Sequence, residues 1–141
     1  MHEQRRTVLS FDFGLKQIGV ALLQQPTTII SPLPIIRAND GKPDWNAVEA
    51  LLQEWRAQLL LVGEPLNMDG SSSTMSERAR RFARQLEGRF NLPVELVDER
   101  LSSHEAKGQV AEFSNKKRNY RKQPIDSIAA QLIMQTWLAQ N

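Results

Sequence analysis

Residues 7–23 read as two strands with almost nothing between them. Residues 7–14 (TVLSFDFG) alternate, with Leu9, Phe11 and Phe13 on one face and Val8, Ser10 and Asp12 on the other. Residues 18–23 (IGVALL) follow after only Leu15, Lys16 and Gln17. So short a connection implies an antiparallel hairpin, because a parallel pair needs a crossover of a dozen or more residues. Residues 27–36 (TTIISPLPII) read as a third strand, which Pro32 and Pro34 push to a sheet edge because proline has no N–H for a second neighbour.

The apolar period then changes. Asp44 is placed to cap a helix whose Trp45, Val48, Leu51, Leu52 and Trp55 recur at helical spacing, and residues 58–62 (QLLLV) fit a short buried parallel strand. Thr74 and Glu77 have capping-box spacing ahead of an apolar stripe of Met75, Ala79, Phe82, Ala83 and Leu86 that stops at Gly88. Residues 93–97 (PVELV) read as a fifth strand. Ser102 with Glu105 repeats the capping pattern, and a last helix over about residues 125–139 is expected on Ile125, Ile128, Ala129, Leu132 and Thr136. The expectation is an α/β fold with a mixed five-stranded sheet of order 3-2-1-4-5 and helices on both faces.

The 141 residues suit one domain over 1–141. No Cys is present, which excludes disulfides and thiolate metal ligands. Residues 1–7 lack the apolar run of a secretory signal and no stretch approaches the roughly 20 apolar residues of a membrane span, so a cytoplasmic protein without a membrane partner is expected. The net charge of +2 leaves the partner undecided. Its distribution says more: residues 116–122 hold five cations and no acid, so the rest of the chain is net acidic.

Ligands of open α/β sheets bind beyond the carboxyl ends of the parallel strands. Three segments end there, Asp12, Gly63-Glu64-Pro65 and Asp98-Glu99-Arg100, and Asp126 opens the final helix. Carboxylates gathered in this way raise one another's pKa unless a cation offsets them. All-oxygen ligands favour Mg²⁺ or Mn²⁺, and two such ions about 3.5–4 Å apart can activate water and stabilise the leaving oxygen of a phosphodiester. Each residue also has a plainer reading. Asp12 suits a turn, Asp126 suits the first turn of any helix, and residues 98–100 suit an exposed ion-pair cluster.

FDFGLKQIGVAL at 11–22, VGEPLNMDGS at 62–71, VDERLSSHEA at 97–106 and PIDSIAAQLIM at 124–134 resemble, in order and spacing, the motifs of the YqgF family. That family has a ribonuclease H-like fold and is related to the RuvC-type Holliday junction resolvases. The resemblance implies a metal-dependent nuclease, a class labelled Holliday junction resolvase and assigned to maturation of the 5′ end of pre-16S ribosomal RNA. It implies a ribosomal RNA precursor or the pre-ribosome as partner, with the chain a monomer or weak homodimer. The family's acidic positions fall on Asp12, Glu99 and Asp126, with Asp98 the weaker member of its pair. Arg100 and Lys16 fall at positions suited to a phosphate, though Arg100 also suits an ion pair and Lys16 a solvated surface. The chain departs from the family where VGLPLNMDG is common, because Glu64 replaces the apolar residue. Glu64 is then either a fourth carboxylate of the metal shell or a surface substitution.

Lys116, Lys117, Arg118, Arg121 and Lys122 surround Tyr120 just before Asp126, a composition suited to phosphates and one stacked base, and equally to a solvated loop. Arg78, Arg80, Arg81 and Arg84 form a second basic set that also describes an ordinary solvent face. Three rival functions stand beside the ribosomal one. A resolvase acting on four-way DNA needs two sites and hence a dimer. A non-catalytic RNA-binding module would keep the fold without turnover. Half of an actin-like ATPase is disfavoured, because such enzymes close two domains over their nucleotide and this chain supplies one.

Overall fold

The computed structural model describes residues 5–101 and 126–141, with Leu101 and Asp126 described by their backbones alone. The opening hairpin is β1 (Arg6–Asp12) and β2 (Gln17–Gln25), paired from Arg6↔Gln25 to Asp12↔Gly19. β3 (Ile30–Asn39) runs antiparallel to β2, then reverses at Asp40 and Gly41 into β4 (Lys42–Pro43). There follow α1 (Trp45–Trp55), β5 (Leu59–Glu64), α2 (Thr74–Phe90) and β6 (Val94–Asp98). A 3₁₀ turn (Glu99–Leu101) and α3 (Asp126–Gln140) complete the described elements.

The sheet order is β4-β3-β2-β1-β5-β6, with β5 parallel to β1 and β6 parallel to β5. This is the expected order with one strand more. The addition, β4, has only two residues and so carries no alternation to read; it exists because Asp40 (φ 49) and Gly41 (φ 81) close a tight turn. The third strand occupies 30–39 rather than 27–36, since Thr27 turns back through its N–H and hydroxyl onto the Gln24 carbonyl, at 3.1 and 2.7 Å. Its prolines sit where β2 is the only neighbour, because β4 reaches no further than Ala38 and Asn39. Ile18 opposes Ile36 while Val20 opposes Leu33, so Pro34 and Ile35 bulge opposite Gly19.

Alternation along the strands builds one core on each face. Leu9, Phe11, Val20, Leu22, Leu60 and Val62 pack beneath α1 and α2 against Val48, Leu52, Phe82 and Leu86. Val8, Leu23, Leu59, Leu61 and Val97 pack beneath α3 against Ile133, Met134 and Trp137. β5 feeds both cores, which is why LLLV shows no alternation.

The helix ends differ from expectation in specific ways. α2 is capped by Ser73 with Ser76, not by Thr74 with Glu77: Ser76 N–H donates to Ser73 Oγ (3.0 Å) and Ser73 N–H to Ser76 Oγ (2.7 Å). The helix also runs through Gly88 to Phe90 and ends at Asn91 in the left-handed conformation, φ 54. The buried face of α3 is Ser127, Ala130, Ile133, Met134 and Trp137, rotated from the stripe read in the sequence. Ile128–Met134 is apolar on nearly every side, so periodicity there cannot say which side meets the sheet. The helix expected from Ser102 and the basic run 116–122 lie outside the described residues.

Candidate active site

Strand parity decides which carboxylates meet. On β1, Val8 and Ser10 face α3 while Leu9 and Phe11 face α2, so Asp12 closes the strand on the α3 face. Phe11 pairs with Val62 across the parallel β1–β5 ladder, so Gly63 comes level with Asp12 on the next strand. Gly63 shares its face with Leu59 and Leu61, again the α3 side.

Gly63 is a place where no side chain fits. A Cβ built there would lie 2.9 Å from Glu99 Oε2 and 2.9 Å from Ile133 Cγ1, with Ile133 Cδ1 closer still. Glu99 follows β6 in the 3₁₀ turn, and its carboxylate folds back over Gly63 onto the face that carries Asp12. The Gly63 position is thus occupied from outside by an acid and by the side of α3.

Two buried serines fix α3 above this end of the sheet. Ser127 Oγ donates to the Leu33 carbonyl (2.8 Å) and accepts from the Val20 N–H (3.4 Å). Those two groups face each other beside the bulge at Gly19, the residue paired with Asp12. Ser10 Oγ donates to the Ala130 carbonyl (2.6 Å) one turn further on. Trp137 Nε1 then donates to Glu95 Oε1 (3.1 Å) on β6. From Ser127 over β2 and β3, through Ala130 over β1 and Ile133 over β5, to Trp137 at β6, the helix crosses the sheet. Its first residue, Asp126, therefore starts beside the strands that hold Asp12.

Glu64 and Asp98 lie on the other face. They are paired residues on β5 and β6, one position beyond Gly63 and Val97, and parity turns both away from Asp12. Glu64 therefore does not face Asp12, although β5 is the strand next to β1. Arg80 Nη1 on α2 holds its Oε2 at 2.6 Å, and Arg80 Nη2 also donates to Ser72 Oγ at 2.9 Å. Asp98 is clasped by Arg100, from Nη2 at 2.7 Å, from Nε at 3.1 Å and from the backbone N–H at 2.9 Å. These hydrogen bonds hold the Asp98 carboxyl below its ordinary pKa, and Asp98 in turn raises that of Arg100.

Arg100 also donates to the Met68 carbonyl (3.3 Å) and lies against Gly70, whose φ of 90 suits only glycine. The LNMDG loop is thereby tied to the end of β6. Within it Asp69 accepts from the Ser71 hydroxyl (2.6 Å) and N–H (2.9 Å), which lowers its pKa. Lys16 is exposed on the β1–β2 connection, with its carbonyl accepting from Ala38 N–H at 2.8 Å. Lys116, Lys117, Arg118, Tyr120, Arg121 and Lys122 fall outside the described residues.

The structure thus brings Asp12 and Glu99 to one face, places the start of α3 beside them, and sends Glu64, Asp98 and Arg100 to the other side. Among the described residues no three His, Cys, Asp or Glu side chains gather into a metal-sized group, a comparison that omits the Asp126 side chain. Reading the sequence missed Ser10, Ser127 and Gly63. Ser10 was visible as a lone polar residue between Leu9 and Phe11; Ser127 follows Asp126 at a helix start, and Gly63 sits at a strand end, where neither is unusual.

Comparison with known proteins places this geometry. Residues 6–140 match the family model described as RuvX, Holliday junction resolvase. A protein of Hahella chejuensis named "Putative pre-16S rRNA nuclease" is 54% identical over 132 residues, covering 94% of this chain and 83% of its own. One of the same name from Pseudomonas fluorescens is 51% identical over 136 residues, covering 96% and 94%. Among solved structures, Thermus thermophilus RuvC bound to a Holliday junction superposes with a TM-score of 0.58 at 13% identity, covering 96% of this chain and 95% of that one. The fowlpox virus Holliday junction resolvase gives 0.54 at 15%, covering 95% and 97%. At such identities the likeness speaks for the fold alone, which is the ribonuclease H-like class expected from the motifs. The extent of the family match and the identity of these relatives show that the chain belongs to the RuvX (YqgF) family.

Proposed function

We propose that this chain, a nuclease of the RuvX family, hydrolyses phosphodiester bonds in the precursor of 16S ribosomal RNA at its 5′ end, in the cytoplasm, with Asp12, Glu99 and Asp126 as its catalytic carboxylates. The observation that carries the reading is the fold-back of Glu99 over Gly63 onto the Asp12 face, at the end of the sheet where α3 begins with Asp126. The names of relatives at 54% and 51% identity support the substrate.

The donor set fits Mg²⁺ or Mn²⁺. All three candidate ligands are carboxylates, no Cys exists, and the absent side chain at Gly63 leaves room for the Glu99 carboxylate. When bound, such ions lower the pKa of water and neutralise charge on the leaving oxygen. The protein's own work is placement. Ser10 and Ser127 hold α3 so that Asp126 opens beside β1, Ile133 backs the Glu99 carboxylate, and Asp12 is fixed by the β1–β2 ladder. Lys16 and the 116–122 run supply cations for the phosphate backbone, and Tyr120 a surface for a base. Glu64 and Asp98 act as partners of Arg80 and Arg100, and so order the loop from β5 to α2.

Cleavage of a 5′-extended 16S precursor RNA, duplex DNA and a four-way junction with Mg²⁺ or Mn²⁺ tests this. Asp12→Asn and Glu99→Gln should each lower RNA cleavage by at least about 100-fold, while Glu64→Leu keeps it within about threefold. Full activity in Asp12→Asn would end the proposal. Preference for the junction would point to the resolvase reading, and binding without cleavage to a non-catalytic module.

A further inference from the structure

On the α2 side of the sheet, a groove of about 360 Å³ opens between α2 and the β3–β4 turn. Arg78 and Arg81 line one wall, Lys42 and Asp40 the other, and Phe13 and Trp45 are in its floor. The three cations are exposed and, among the described residues, form no ion pair. The volume is at the small end of ligand clefts, which run to about 300–1,000 Å³.

The walls are built rather than loose. Gly41 N–H donates to the Leu15 carbonyl and Ala38 N–H to that of Lys16, both at 2.8 Å, so the turn is locked to the β1–β2 connection. Gly41 has φ 81, and a Cβ there would lie 3.0 Å from Arg78 Nη1. Arg78 therefore reaches from α2 to the turn. The floor rings are engaged with one another and with a cation: Phe13 and Trp45 both pack on Phe82, at 5.2 and 5.9 Å, and Arg89 sits 4.2 Å from the Trp45 centroid. A site made this way offers charge over an apolar base, and its rings are already committed to packing.

The groove lies close to the carboxylate site along the chain. Asp12 faces α3 and the next residue, Phe13, lies in the groove floor, one Cα step of about 3.8 Å away. We infer that the groove is a track for the sugar-phosphate backbone of single-stranded nucleic acid, which crosses the end of β1 between it and the carboxylates. Arg78, Arg81 and Lys42 meet the phosphates without reading the bases. A groove of about 360 Å³ suits one strand better than a duplex. The substrate class rests on the nuclease reading above; the groove itself does not.

The test separates the two. In an Asp12→Asn background, which holds RNA uncut if that reading is right, fluorescence anisotropy with a labelled 12-nucleotide RNA is followed from 50 to 200 mM salt. Arg78→Gln with Arg81→Gln should weaken binding about tenfold and reduce the salt slope by about 1.4, near 0.7 per lost phosphate contact on a single strand. Arg84→Gln, on α2 outside the groove, should change binding less than twofold, and the Arg78→Lys, Arg81→Lys pair should restore most of it. Thermal melting confirms that each variant is folded. Unchanged binding in the double glutamine variant overturns the inference, as does an equal loss in Arg84→Gln or an equal loss on duplex DNA. If the unmodified chain cuts no RNA yet binding depends on Arg78 and Arg81, the nuclease reading fails and the groove stands; if it cuts RNA and binding is independent of both arginines, the groove fails and the nuclease reading stands.

Discussion

Replacing Gly63 with alanine adds one methyl where two groups already converge. The new Cβ would sit 2.9 Å from both Ile133 Cγ1 and Glu99 Oε2, where ordinary contact needs about 3.5–4.0 Å, so the overlap there is about 0.6–1.1 Å, and it is larger at Ile133 Cδ1. The two neighbours respond differently. Ile133 is 2% exposed and belongs to a helix anchored by two buried serine hydrogen bonds, whereas Glu99 sits half-buried in a three-residue turn. Overpacking of this kind costs about 1–3 kcal/mol, offset by the roughly 0.4–1 kcal/mol that alanine contributes by restricting the unfolded chain. A net loss of about 1–2 kcal/mol lowers the melting temperature of a chain this size by about 4–8 °C. Glu99 moves by the same fraction of an ångström and more, so cleavage should fall at least tenfold, since a 1 Å misplacement can cost about a hundredfold. Ile133→Val removes Cδ1, the closest atom, and the double variant should regain stability and rate beyond additivity, with a coupling of at least about 0.5 kcal/mol. A Gly63→Ala protein melting within 1 °C of the parent and cutting at the parent rate would refute the reasoning, as would strict additivity with Ile133→Val.

Two further outcomes follow from the same geometry. Ser127→Ala leaves the Val20 N–H and the Leu33 carbonyl without their buried partner and should cost about 1–2 kcal/mol in urea unfolding, with Ser127→Thr recovering part; a loss under 0.5 kcal/mol would mean that the hydroxyl is not what seats α3. Arg100 lowers the Asp98 pKa in the folded state, so the pair contributes stability above the unfolded value of about 3.9 and loses it as pH falls through the folded one. The pair is partly exposed, so solvent screens it and the contribution is small. Asp98→Asn should therefore lower the urea midpoint slightly at pH 5–7 and converge on the parent as pH falls through the folded-state value of Asp98; a difference that grows as pH falls would contradict the pairing.

Much of the scaffold could be read before any coordinate was known, because it rests on local periodicity. The three residues between the runs 7–14 and 18–23, the alternation in the first of them and the prolines of β3 were enough for the order of the meander. What escaped depended on partners distant in sequence. The cap of α2 went to Ser73 rather than Thr74, since Ser73 also gives its hydroxyl to the Pro65 carbonyl at 2.7 Å, eight residues away. The face of α3 was undetermined because Ile128, Ala129, Ala130, Leu132, Ile133 and Met134 leave few polar sides. It was settled by Ser10 and the β2–β3 bulge, which a helical wheel cannot contain.

Glu64 shows the limit most clearly, because strand order and side-chain direction are separate pieces of information. Order puts β5 next to β1 and β6 one strand further, so order alone would make Glu64 the acid nearer to Asp12 and Glu99 the more distant one. Direction decides otherwise. A strand covered on both faces is apolar at every position, so LLLV conceals the parity that an exposed strand would display. Only the register, Phe11 opposite Val62, fixes that Gly63 shares the Asp12 face and that Glu64 turns to Arg80. Glu99 stands two residues past Val97 and so has the parity of the Asp12 face, opposite to Asp98; what the 3₁₀ turn adds is the fold-back of its carboxylate over Gly63. An acid at a strand end is held to its face, and an acid one step beyond can fold back across a neighbour, provided that neighbour is glycine. In this chain Gly63 and Glu99 form one functional unit, written 36 residues apart.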